Sequence, residues 1–296
     1  MLGQGKRDII EVMTPSARAP DQLAAGTGDR VAFVEQIMGM PISLHVRGPA
    51  ARGAGVAAAA ALVFAELREV DALFSTYRPD SQVSRIDAGT LALSDAHALV
   101  QEVCELAVLA RARTGGLFDV HLPIGERRVF DPSGLVKGWA VERASRHLGR
   151  LQGHDFCLNA GGDATVGCWD AAARPWRVGV QDPRTCDALL AVVERRDGAV
   201  ATSGTAARGE HLVDPRDGSR PAALLSVTVV GPSLTWADVL ATAAFVRGTD
   251  AAQWLRGQVG YEALVVHADG RAERTPGLQL AGVGAPLTPP TGGGQS

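Results

Sequence analysis

Apolar residues along this chain switch between strand spacing and helix spacing several times, without the regular alternation of a βαβ repeat. "AFVEQIMGMPISLHVRG" (32–48) reads as strand, bend at Met38-Gly39, then strand. "AAAALVFAELREVDALFS" (58–75) is a long helix, and "SDAHALVQEVCELAVLARARTGG" (94–116) a second, with Ser94 as N-cap and Gly115 or Gly116 at its end. "VKGWAVERASRHLGRL" (136–151) supplies a third helix, followed by the buried strand "DFCLNA" (155–160) and a Gly pair. Strand patterns return in "WRVGVQDP", "LLAVVERRDGAVATSG" and "LLSVTVVG", and "EALVVHADGRAER" carries a hairpin signal at Asp269-Gly270. This order predicts an α+β architecture, with mixed or antiparallel sheets and packed helices.

The 296 residues, 46% hydrophobic and 21% charged, support one large domain or two intimately joined lobes over 31–282. Residues 1–30 read as a poorly ordered segment and 283–296 as a flexible Pro/Gly-rich tail. A net charge of -3 argues against a nucleic-acid partner or a polybasic membrane surface. No stretch has the apolar length of a membrane span, and the first thirty residues lack the apolar core of a signal peptide, so the expected compartment is the cytoplasm. Cys104, Cys157, Cys168 and Cys186 show no CxxC spacing, which predicts neither a zinc site nor a disulfide framework. Lys6 and Lys137 are the only lysines among 29 basic residues, and Asn159 is the only asparagine. Residues that persist against such a bias are candidates for specific roles.

Several segments could carry chemistry. "LNAGGDATVG" (158–167) places two glycines after a strand, where the backbone can approach a bulky ligand or simply make a tight turn. It is not GxGxxG, and a dinucleotide-fold reading is poor. "DPSGLVKGWAVE" (131–142) sets Asp131, Gly134 and Lys137 at a loop-to-helix junction suited to anions; a solvated first-turn lysine is the bland alternative. "GEHLVDPRDGSRP" (209–221) holds His211, able to take a proton from a hydroxyl, although a surface histidine is the ordinary outcome. "FSTYRPDSQVSRI" and "TGGLFDVHL" offer Tyr77 and the pair Phe118-Asp119, which suit a flat heteroaromatic ligand or a helix-end core. No nucleophile elbow supports a Ser-His-Asp hydrolase.

In "SLTWADVLATAAFV" (233–246), Asp238 and Thr242 are four residues apart in an otherwise apolar run. On a helix they share a face, and a carboxylate beside a hydroxyl suits Mg2+. Thr235 followed by Asp238 also resembles a capping box, so the stretch alone leaves both readings open.

Taken in order, "MGM", "FSTYRPDSQVSRI", "TGGLFD", "DPSGLVKGWAVE", "LNAGGD", "SGTAARGEHLVDPRDGSRP" and "SVTVVGPSLTWADVLATAAF" resemble the ApbE family, the FAD:protein FMN transferases, over about two hundred residues. The resemblance implies an ApbE-like flavin transferase fold. It also implies Mg2+-dependent transfer of FMN from FAD to a Ser or Thr hydroxyl of an acceptor flavoprotein, with release of AMP. Carried onto this chain, it implies FAD contacts at Met38, Tyr77, Leu117, Phe118, Asp119, Asp131, Lys137 and the backbone near Val213. Mg2+ would be held by Asp238, Thr242 and the carbonyl of Gly134, and His211 would be the general base. The resemblance thins at 120–130 and 205–210, where relatives carry longer segments. Two alternatives therefore stand beside transfer: hydrolysis of FAD to FMN and AMP, and a non-catalytic flavin carrier.

Overall fold

The structure, a computed structural model, describes residues 9–11, 30–185, 188–205 and 212–283. Its centre is an eight-stranded sheet in which every neighbouring pair is antiparallel. One edge is a hairpin of β2 (Arg30–Ile37) and β3 (Met40–Arg47). Pairing continues through β6 (Asp155–Ala160), β7 (Asp163–Gly167), β10 (Asp197–Gly204), β11 (Leu224–Gly231), β12 (Glu262–His267) and β13 (Ala272–Arg274). A four-stranded sheet runs in the order β1 (Ile9–Glu11), β8 (Trp176–Gln181), β9 (Leu189–Arg195) and β14 (Gly282–Val283). A small hairpin, β4 (His121–Ile124) with β5 (Arg127–Phe130), stands apart.

The large sheet is covered on both faces, which is why its central strands are apolar on both sides rather than alternating with polar residues. Leu158, Ala160, Ala201, Val227 and Val229 face the helices: α1 (Ala54–Phe74), α2 (Gln82–Asp87), α3 (Ala98–Arg113), α4 (Ser133–Ser145), α5 (Leu234–Arg247) and α6 (Ala251–Leu255). Cys157, Ala164, Val166, Val200 and Val230 face the four-stranded sheet, where they meet Trp176, Val178 and Val193. The expected α+β class is what the structure shows. α1 buries Val56, Ala60, Val63, Leu67, Val70 and Phe74, a helical stripe, whereas α5 is buried nearly all round and lies between α4 and strands β10 and β11.

The bend expected at Met38-Gly39 is a two-residue hairpin turn with both residues left-handed, at φ 54° and 71°. Such turns match the twist of the flanking strands. Other boundaries differ from expectation. Ser94 does not cap the second long helix; it sits in a separate turn of 3-10 helix, Leu93–Asp95. His97 is the N-cap, its Nδ1 accepting from the Leu99 amide at 3.3 Å. Thr114 ends that helix, and Gly115 and Gly116, both at positive φ, turn the chain away. The hairpin at 121–130 had no legible signal. Ile9–Glu11, within the segment read as poorly ordered, forms a strand parallel to β8; the rest of that segment and the tail from 284 lie outside the described residues. No helix among the described residues is long and apolar enough to cross a membrane. Cys104, Cys157 and Cys168 are free, burial pushing the Cys157 thiol up to about 12, and Cys186 lies outside the described residues.

Candidate active site

The Gly pair after β6 makes the tight turn into β7, with Gly161 at φ 56° and Gly162 at φ 105°. A side chain at Gly161 would have its Cβ 2.8 Å from Met40 Sδ, so glycine is what lets this turn lie against the tip of the β2–β3 hairpin. The turn delivers Asp163 as the first residue of β7, only 1% exposed. One of its oxygens accepts from the Thr202 amide of β10 at 2.9 Å, and the other is in direct contact with Lys137 Nζ.

Lys137 lies one turn into α4 and is 6% exposed, a burial that lysine tolerates only when paired. Besides Asp163 it meets Asp238 Oδ1 of α5 at 3.1 Å. Asp238 is 3% exposed, and its Oδ2 has no hydrogen-bond partner among the described residues. One ammonium facing two carboxylates leaves the cluster with a formal negative charge. Gly138 permits the close approach: a Cβ there would stand 2.9 Å from the Leu234 carbonyl oxygen and 3.1 Å from Asp238 Cβ.

One turn beyond Asp238, Thr242 shares a 3.0 Å hydroxyl–hydroxyl hydrogen bond with Ser203 of β10. The capping-box reading of this helix is not what forms. Ser233 is the N-cap, its hydroxyl accepting from the Trp236 amide at 3.3 Å. Thr235 donates to Glu142 instead, and Asp238 lies past the first turn, facing Lys137.

Leu117 and Phe118 are buried after the Gly bend, and the Phe118 ring lies against Gly134 at the start of α4. Asp119 is ringed by Arg111 Nε at 3.0 Å, His121 Nδ1 at 3.5 Å and Arg128 Nη2 at 3.6 Å. Asp131 accepts from the Ser133 amide at 2.9 Å, and its own amide donates to the Val120 carbonyl at 2.8 Å. Thus "TGGLFD" and "DPSG" meet at the entrance to α4. Met38, in the hairpin turn, packs on the core, Tyr77 is 92% exposed, and Val213 is half-buried before the Asp214 turn; all three stand outside the buried cluster. In that turn Arg216 grips Asp214 through Nε at 2.9 Å and Nη2 at 2.6 Å, holding its carboxyl below the usual carboxylate range. His211 lies outside the described residues.

Asp163 lies in "LNAGGDATVG" and Glu142 in "DPSGLVKGWAVE", and the sequence alone assigns neither a role. Asp163 was the residue after the glycines, and nothing in the sequence shows that Lys137 reaches it.

The small hairpin is tied down by Asp87, which accepts from the Phe130 amide at 2.8 Å and pairs with Arg127 at 2.9 Å. The Phe130 amide, and with it Arg127, holds the Asp87 carboxyl below the usual carboxylate range against the opposing effect of burial. A depressed folded value means stability present above the unfolded value of about 3.9 and lost as pH falls through the folded one. Asp87→Ala is therefore expected to cost about 1–2 kcal/mol at pH 7. Urea melts of both proteins should converge below about pH 3; a gap that persists there would contradict the assignment.

The family model described as "ApbE family" matches residues 38–123 and 125–265. The chain belongs to the ApbE family. Two relatives named FAD:protein FMN transferase are similar to it. The one from Haemophilus influenzae is 29% identical over 133 residues, 41% of this chain and 38% of the relative. The one from Salmonella typhimurium is 29% identical over 160 residues, 49% of this chain and 44% of the relative. The matches thus span less than half the length of these relatives. A crystal structure of an ApbE protein from Thermotoga maritima superposes with a TM-score of 0.73 at 22% identity, covering 84% of this chain and 97% of that one. That likeness shows the fold.

Among the described residues no group of three or more His, Cys, Asp or Glu side chains is arranged to hold a metal ion. A site of one carboxylate, one hydroxyl and a backbone carbonyl is of another kind, and the partnerless Asp238 oxygen in a negatively charged cluster fits a hard cation with oxygen ligands.

Proposed function

We propose that this chain transfers FMN from FAD to a Ser or Thr hydroxyl of an acceptor protein, releasing AMP, with Mg2+ held by Asp238, Thr242 and the Gly134 carbonyl. The observation that supports this most is the buried cluster of Lys137, Asp163 and Asp238, in which Asp238 Oδ2 has no hydrogen-bond partner among the described residues, with Thr242 one turn further along the same helix. The names of the family and of the relatives point the same way.

In this reading Mg2+, when bound, neutralises charge on the pyrophosphate oxygens of FAD. The protein's own residues do the rest. Lys137, fixed by two carboxylates, holds Asp163 and Asp238 in one arrangement beneath the dinucleotide. Leu117, Phe118, Asp119 and Asp131 flank the flavin dinucleotide where their two loops meet at α4. Met38, Tyr77 and Val213 complete the contacts from the rim. The acceptor hydroxyl oxygen forms a bond to the phosphorus of the FMN half, the bond to the bridging oxygen breaks, and AMP leaves with that oxygen. His211 takes the hydroxyl proton.

Incubation with FAD, Mg2+ and an acceptor carrying a Ser/Thr flavinylation sequence is expected to give AMP and an acceptor heavier by one FMN in its mass spectrum. AMP with free FMN, at the same rate with or without acceptor, would replace transfer by hydrolysis. FAD binding with no AMP would leave a flavin carrier.

A further inference from the structure

Three polar side chains, Thr235, Asp238 and Thr242, lie along one stripe of the otherwise apolar α5, three and then four residues apart. Each is met by a different group: Thr235 by Glu142, Asp238 by Lys137 and Thr242 by Ser203. Glu142 Oε2 accepts three hydrogen bonds from the start of α5. They come from Ser233 Oγ at 2.7 Å, the Thr235 amide at 2.8 Å and Thr235 Oγ1 at 2.7 Å. Gly138 and Glu142 are one turn apart on α4, so the face that makes room for Asp238 also carries the carboxylate that grips the helix bearing it. Ser233 caps α5 through the Trp236 amide and Glu142 takes the Thr235 amide, so the helix start is held by two acceptors, one of them on α4.

We infer that Glu142 is a positioning residue for the reaction proposed above: it fixes the first turn of α5 on α4, so that Asp238 stands against Lys137 with one oxygen left for the cation. This rests on the transfer reading for its chemistry and on the α4–α5 contacts for its geometry. The carboxylate does not touch the reacting atoms; it acts through Asp238.

Glu142→Ala and Glu142→Gln are compared with the wild type by electron paramagnetic resonance titration with Mn2+ in the presence of FAD, by Mg2+-dependent AMP release, and by crystallography. The expected result for Glu142→Ala is an affinity for Mn2+ weaker by about tenfold, the effect typical of losing a group that orients a metal ligand. Its kcat falls while KM for FAD stays within about twofold, and the 3.1 Å Lys137–Asp238 contact lengthens in its crystals. Glu142→Gln, which keeps an acceptor oxygen, recovers most of the loss. A purely structural role would lower the melting temperature and leave Mn2+ affinity and the Lys137–Asp238 contact as in the wild type; that result overturns the inference. A wild type that releases no AMP refutes the transfer reading alone, and the crystallographic contact still decides the role of Glu142.

Discussion

Asp238→Asn is expected to lower the proposed Mg2+-dependent release of AMP from FAD by at least about 100-fold, because it weakens the hold on a cation whose charge stabilisation supplies several kcal/mol. The side chain keeps its shape, so the tight fit against Gly138 survives. Lys137 keeps Asp163 as its counter-charge, and the formal charge of the cluster moves from negative to zero. Without Mg2+ the variant should therefore melt at or slightly above the wild-type temperature. Added Mg2+ with FAD should raise the melting point of the wild type by mass action and leave the variant where it was. Chromatographic measurement of AMP and a melting series with and without Mg2+ check both halves. Full activity in the variant would remove Asp238 from the cation site, and unfolding of the variant would make its role structural.

Lys137→Met is expected to have the largest effect on stability. It removes the ammonium from between two carboxylates that are almost fully buried, at 1% and 3% exposure. Breaking a buried ion pair by deleting one partner costs about 3–5 kcal/mol. For a chain of this size that corresponds to roughly ten degrees in melting temperature. Methionine nearly matches the length of the lysine stem, so lost packing contributes little. Adding Asp163→Asn to Lys137→Met should recover part of the loss, since the two positions are coupled through the contact. Thermal melts of the single and double variants measure that coupling. A Lys137→Met protein within 1 kcal/mol of wild type would show that the lysine contributes little to holding this cluster.

Much of this was legible in the sequence because the physics involved is local. The strands follow from runs of apolar residues, and the Met38-Gly39 turn from a glycine between two such runs. Lys137 stood out as one of two lysines, and Asp238 with Thr242 as polar residues at helical spacing in an apolar run. What escaped depends on partners distant in the chain. Asp163 follows a Gly pair whose turn is readable, but its meeting with Lys137 depends on how α4 crosses the sheet. Glu142 ends a motif on one helix and binds the start of another. His97 displaced Ser94 as a cap because an imidazole nitrogen can accept where a hydroxyl is the commoner choice. The hairpin at 121–130 is charged at its turn and held by Asp87 from outside, so its own pattern carries no strand period.

The buried cluster also has a history during synthesis. Positions 137 and 163 leave the ribosome well before position 238, and contacts between distant parts of a chain form late. Lys137 and Asp163 are thus able to pair first, as a balanced couple that needs no ion. Only the docking of α5 adds the second carboxylate and turns the couple into a cluster of net negative formal charge. A product ending before residue 234 would carry Lys137 and Asp163 without the second carboxylate.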